Sequence, residues 1–224
     1  ECSYTLKDVP KALELSLSPA FYLTSPLDDS SENVIYINRN PVYDNQPLYN
    51  TIAHEGYPGH LYQTVWFHTH CGSDLRKILS FSGYTEGWAA YVEALSYRLD
   101  NGLDPLLGEL LEANSKATLG IHAYLDLAVN YLGWEREDVR KYLSSYFSDP
   151  DSITDSMFEA MVDNPANYLS YFIGSLEIRN MRENAKLQLG EKFSAKAFHT
   201  FLLDMGNAPF DVIQAYFTTW LMNQ

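Results

Sequence analysis

The chain has 224 residues, 46% of them hydrophobic, which is enough apolar material to bury the core of one compact body. With 29 acidic residues against 15 basic ones the formal charge is -14, which repels a phosphate backbone or an anionic membrane surface, so nucleic acid is not an expected partner. Two cysteines, Cys2 and Cys71, make neither a disulfide framework nor a thiolate metal cage, and they leave the redox compartment open.

No apolar run reaches the roughly 18–20 residues of a membrane span, so none is expected. The chain opens at Glu1-Cys-Ser-Tyr4, without Met, in a segment that reads like the middle of a protein, and any targeting signal would lie outside it. Compartment and oligomeric state are therefore unassigned. The first fifty residues are rich in Pro, Ser, Asp and Asn. Within them Val34-Ile-Tyr-Ile-Asn38 reads as a strand, one arm of a small hairpin or sheet with Phe21-Tyr-Leu-Thr24. From about Gln46 the apolar residues recur every three or four positions. Helices are predicted over 46–70, 74–99, 105–132, 135–147, 151–162, 165–190, 194–204 and 208–222. Asp104-Pro105 and Asn164-Pro165 each set a capping residue before a first-turn proline, and Ser194 precedes another periodic run. The fold class is mainly α with a small N-terminal β element, a single domain over residues 1–224.

The segment Thr51-Ile-Ala-His-Glu-Gly-Tyr-Pro-Gly-His-Leu-Tyr-Gln63 sets two histidines around a glutamate. Hydrolytic zinc chemistry needs neutral imidazoles converging on one point and a carboxylate beside them to take a proton from water. His54 and His60 are six positions apart, which on a regular helix leaves their side chains about 120° divergent. Pro58 cannot donate a backbone hydrogen bond and its ring clashes with the preceding turn, so a bulge or kink at Pro58-Gly59 is required if both are to face one way. Alone, two histidines near a kink read as ordinary polar residues. The adjoining Glu55 and a third donor on another helix change that reading: Glu86, in Tyr84-Thr-Glu-Gly-Trp-Ala-Ala-Tyr-Val-Glu93, has small neighbours in Gly87 and Ala90 that permit close helix packing. Glu93, seven positions on, lies on the same face and can accept from a ligating imidazole. One Zn2+ is expected on His54, His60 and Glu86, with Glu55 as general base.

The pattern His-Glu-x-x-Pro-Gly-His followed by Glu-Gly-Trp-Ala-x-Tyr resembles a bacterial family known as domain of unknown function 885, which is similar to gluzincin metallopeptidases. Members of that family are more than twice this length, with the histidine motif in the later half. By this resemblance the chain is the C-terminal, catalytic part of a zincin-like peptidase, and an N-terminal domain outside it completes the cleft. Asn167-Tyr-Leu-Ser-Tyr-Phe172 resembles the Tyr-x-x-Tyr-Phe segment of angiotensin-converting-enzyme-like peptidases, which implies Tyr171 as oxyanion donor and Tyr168 as a contact for a substrate carboxylate. Gly174-Ser-Leu-Glu-Ile-Arg-Asn-Met-Arg182 also resembles the family's C-terminal pattern, with Arg179 or Arg182 offering a bidentate fork to a substrate carboxylate. Asp126 to Trp134 resembles a family segment Asp-x-Gly-x-His-x-x-Gly-Trp, although Ala128 and Asn130 stand where glycine and histidine are common. Asp126 is expected as a supporting carboxylate behind the site. His68, His70 and His199 read as surface or packing residues.

The expected function is thus metal-assisted hydrolysis of peptide bonds, with carboxypeptidase-like action on free chain ends favoured by the resemblance. Two rivals stay open: a zinc hydrolase acting on non-peptide amides or esters, and a non-catalytic metal-binding or scaffold module.

Overall fold

Three short strands open the chain: β1 (Thr5–Asp8), β2 (Ala20–Leu23) and β3 (Val34–Ile37). A computed structural model describes residues 2–29, 31–43 and 48–224, and all that follows refers to these. The sheet order is β1-β3-β2. β2 runs antiparallel to β3 in the register Ala20 opposite Ile37, and β1 runs parallel to it with Thr5 opposite Val34. Ala20, Ile35 and Ile37 are buried and carry the apolar signal that marks β2 and β3. β1 is exposed at all four positions and its sequence, Thr-Leu-Lys-Asp, has no alternation. It is held by main-chain pairing and by the exposed Arg39–Asp8 ion pair, with no buried apolar side chain, so pattern reading does not find it.

Ten helices follow among the described residues. The segment predicted as one helix over 46–70 is two, α1 (Leu48–Glu55) and α2 (His60–His70), and its predicted start at 46 lies outside the described residues. The break is sharper than a kink. Gly56 to Gly59 leave the helix altogether, with a cis peptide between Tyr57 and Pro58. The segment predicted over 74–99 is likewise two helices, α3 (Asp74–Ile78) and α4 (Ser82–Ser96). Ser80, Ser82 and Gly83 are weak helix formers there, and the guanidinium of Arg76 is drawn off to the carbonyl of Met205.

Then come α5 (Pro105–Asn130), α6 (Arg136–Leu143), α7 (Asp151–Asp163), α8 (Asn167–Leu189), α9 (Ala195–Met205) and α10 (Phe210–Met222). Asp104 caps α5 through Leu106 and Leu107 N–H, and Ser194 caps α9 through Ala197 N–H, as their sequence positions imply. Asn164 does not cap α8. Ala166, in the left-handed region at φ 67°, precedes the helix, and the cap is supplied from α5. There Asp126 accepts from the N–H groups of Ala166 at 2.8 Å and Tyr168 at 3.1 Å.

Two apolar clusters hold the helices. One joins Tyr84, Trp88 and Tyr91 of α4 to Ile178 and Met181 of α8, Phe198 and Leu202 of α9 and Phe217 of α10. The other joins Leu125 and Val129 of α5 to Val139, Leu143, Met157 and Met161 of α6 and α7. α4 and α8 touch backbone to backbone. A Cβ on Gly87 would lie 2.5 Å from the Gly174 carbonyl carbon, and one on Gly174 only 1.9 Å from Gly83 O. This contact leaves no room for a side chain and lays the start of α8 beside the start of α4.

Candidate metal centre

α1 ends at Glu55 and α2 begins at His60, so the six-residue spacing of the histidines is absorbed by a turn rather than carried around a continuous helix. Gly59 makes that turn possible: a Cβ there would stand 1.7 Å from the carbonyl oxygen of His54. Pro58 presents its carbonyl to the indole of Trp88, whose Nε1–H donates at 2.9 Å and ties the turn to α4. Trp88 lies inside the Glu-Gly-Trp motif. A buried indole N–H needs an acceptor, and that need was the available hint to its role.

The result is a convergence of three donor atoms. Glu86 Oε2 lies 3.3 Å from His60 Nε2 and 3.6 Å from His54 Nε2, and the two rings are 4.8 Å apart and nearly perpendicular. The other nitrogen of His54, Nδ1, is 2.9 Å from Glu93 Oε2. With the ring proton on Nδ1, donated to Glu93, the Nε2 lone pair of His54 points into the cluster beside a carboxylate. Glu86 Oε2 is itself buried and accepts no hydrogen bond. Lone pairs gathered in this way repel one another unless a cation, a proton on an imidazole or a metal ion in its place, stands between them. Zinc fits the spacing, since bonds of about 2.0–2.2 Å in a tetrahedral set give donor-to-donor edges of roughly 3.3–3.6 Å.

The electrostatics agree with the geometry. Burial alone would make His54 less basic, but Glu86 and Glu93, with Glu55 behind them, outweigh it and raise its pKa to about 10. Burial alone would raise the pKa of Glu86, yet the two imidazoles hold it down to about 2. Carboxylates thus surround the two rings, and the pocket favours positive charge.

Glu55 lies at the same point, with one donor atom each from His54, Glu55 and His60 all within 4.8 Å of one another. Its Oε2 accepts the Tyr22 N–H at 2.8 Å, so the edge of β2 orients the carboxylate and leaves Oε1 for other partners. This contact with a backbone amide carries no sequence signal. Tyr171 stacks on His54, with ring centres 6.0 Å apart and planes 18° from parallel. Burial, then the charge of Glu86, keep its phenol protonated well above the ordinary tyrosine range.

Other candidate residues lie elsewhere. Tyr168, one turn before Tyr171, packs on the α5–α7 cluster and against His122, at 4.8 Å between ring centres. Asp126 is engaged by the α8 N-terminus and by Asn130, and its hydrogen bonds go to those groups rather than to a ligating imidazole. Arg179 bonds to Ser175 and Arg182 to Glu183, in a separate cavity farther along α8. Arg179 is about 12 Å beyond Tyr171 along the helix axis, at about 1.5 Å per residue. His199 is a packing residue, hydrogen-bonded to Tyr91 Oη at 2.8 Å.

Solved structures with the same fold exist. A "putative lipoprotein" from Colwellia psychrerythraea superposes with a TM-score of 0.83 at 26% identity, over 99% of this chain and 38% of its own. A "putative lipoprotein of unknown function" from Shewanella oneidensis gives 0.73 at 21% identity, over 96% of this chain and 40% of its own. The chain therefore spans about two fifths of the length of either. No curated protein matches it. Residues 2–216 match the profile of the family described as "Bacterial protein of unknown function (DUF885)", and the chain belongs to that family.

Proposed function

We propose that this chain is the metal-binding, catalytic part of a zinc-dependent peptidase. The observation that carries the reading is the meeting of His60 Nε2 and His54 Nε2 on Glu86 Oε2 at 3.3 and 3.6 Å, with Glu93 2.9 Å from His54 Nδ1, where it accepts that ring proton and leaves Nε2 for a metal. Three protein donors leave a coordination position open, as in catalytic rather than structural zinc sites. When bound, zinc supplies Lewis acidity at the point where the three residues converge.

The chain's own groups account for the rest. Glu55, steadied by Tyr22 N–H, receives the proton of the attacking water on Oε1 and returns it to the departing amine. Tyr171 keeps its proton and donates toward the carbonyl oxygen as that atom gains negative charge, a contact that strengthens in the transition state. The choice of a peptide over another amide or an ester rests on the resemblance of the Tyr168 to Phe172 segment to peptidases. The longer chains of the relatives would supply the facing wall of the cleft.

The test is elemental analysis of the purified chain beside His60→Ala and Glu86→Ala. About one zinc per chain, lost in both variants, is the expected outcome. A chain that stays metal-free after incubation with zinc overturns the proposal.

A further inference from the structure

Basic side chains are scarce in this protein, 15 in 224 residues, yet five of them line a single cavity of about 210 Å³ between α4, α5 and α8. Arg98 and Lys116 share the buried carboxylate of Glu112, which both contact. Lys186 and Arg182 share Glu183, at 2.7 and 3.1 Å. Arg179 has no such partner. Among the described residues no carboxylate oxygen lies within 4.0 Å of its guanidinium, whose hydrogen bonds go to Ser175 O at 3.2 Å and Ser175 Oγ at 3.0 Å. Arg182 adds a buried Nε–H with no acceptor. Five cations against two carboxylates leave a local surplus of three positive charges in a chain whose net charge is -14.

Helix ends explain part of this, because cations gather favourably at the C-terminal end of α4. They do not explain a half-buried guanidinium left without a counter-charge, since burying an unpaired charge is costly. An anion in the cavity supplies the counter-charge that Arg179 lacks. We propose that the cavity between α4, α5 and α8 is a binding site for a small multivalent oxyanion, a phosphate or a polycarboxylate, gripped by the Arg179 fork with the other lining cations adding positive charge. Planar guanidinium groups suit oxyanions because two parallel N–H donors meet two oxygens. The cavity is smaller than the roughly 300–1,000 Å³ of sites for drug-sized ligands, which selects a compact ion over a peptide or nucleotide.

The site is distinct from the metal cluster and does not depend on it. On α4 the cavity is lined by Tyr91, Ala94 and Leu95, with Arg98 just beyond its end, a face turned away from Glu86 and Glu93. Its test is therefore run on chain stripped of metal and then dialysed free of chelator. Inorganic phosphate and citrate are titrated by calorimetry into the natural chain, Arg179→Gln and His60→Ala. Saturable one-site binding in the millimolar range or tighter is expected, weakened at least about tenfold in Arg179→Gln and unchanged in His60→Ala. Phosphate alone would identify a phosphoryl ligand and citrate alone a carboxylate one, and either upholds the site. Arg179→Lys, which keeps the charge but loses the fork, should also bind more weakly and serves if the Gln variant does not fold. Absence of saturable heat up to about 10 mM, or equal affinity in the natural chain and both Arg179 variants, overturns the proposal.

Discussion

Substituting Gly59 by alanine tests the local geometry on which the proposed metal centre depends. The added Cβ would stand 1.7 Å from His54 O, 2.4 Å from His54 C and 2.5 Å from Ala53 O. A carbon and a carbonyl oxygen need about 3.3 Å, so the deficit at the closest contact is about 1.6 Å. All three atoms are backbone and no rotamer change relieves them, so the end of α1 and the start of α2 must separate. His60 directly follows Gly59 and His54 carries the clashing carbonyl, so the displacement falls on both imidazole ligands. Metal sites tolerate errors of about 0.2 Å in ligand distance. Zinc affinity should therefore drop at least about 100-fold, equivalent to about 2.7 kcal/mol, while overpacking costs the metal-free fold about 1–3 kcal/mol. Competition against a chromogenic chelator gives the affinity and thermal melting of the metal-free chain gives the fold. Gly72→Ala is the control, since a Cβ there meets nothing within 4 Å. A Gly59→Ala chain that binds zinc within about threefold of the natural one would show that this contact does not align the imidazoles.

Glu55→Gln can still accept the Tyr22 N–H, so it should keep its fold and its zinc while turnover falls by about 10²–10⁴; normal turnover removes Glu55 from the mechanism. Tyr171→Phe should lower kcat by about 10²–10³ with KM little changed and zinc content intact, and an unaltered kcat would mean the ring only packs on His54. His199 is held neutral, first by burial and then by the charge of Arg182, with its pKa lowered to about 4. The unfolded chain takes up this proton near pH 6.5, so the contribution is complete above about 6.5 and is lost as pH falls through 4. It amounts to about 2–3 kcal/mol after allowing for solvent, readable by urea unfolding of the metal-free chain at several pH values. His199→Gln should flatten that part of the profile, and identical profiles would count against the assignment.

Much of this architecture is legible because long amphipathic helices with proper caps announce themselves. Asp104 before Pro105 and Ser194 before Ala195 mark α5 and α9 at their true starts. The features that escape detection are held by partners distant in sequence. β1 is paired through its backbone and has no apolar alternation to read. The N-terminus of α8 is capped by Asp126, about forty residues earlier, so Asn164-Pro165 misleads as a local cap. The histidine spacing did reveal that the helix could not continue regularly through Pro58. That the chain leaves the helix entirely depends on the closeness of Gly59 to His54 O and on the indole of Trp88 waiting for Pro58 O. For Arg179 and Arg182, motif spacing gives no information on direction, and only the packing of α4 on α8 shows that they open into a second cavity.

α4 acts as the template for the centre. It carries Glu86 toward both imidazoles, Trp88 to the carbonyl of Pro58, and Glu93 to the far nitrogen of His54. Glu86 and Glu93 are seven residues apart, about two turns, and share one face, so the distance between ligand and supporting carboxylate is set by helix geometry. The glycine contact between Gly87 and Gly174 then fixes α8 against that template and brings Tyr171 over His54. A substitution at the helix contact should thus disturb the tyrosine without touching a ligand, whereas one at Trp88 should loosen the turn and the ligands together. The candidate metal cluster is therefore built from one helix, the turn it anchors and the helix packed against it, and its precision comes from the two places where only glycine fits.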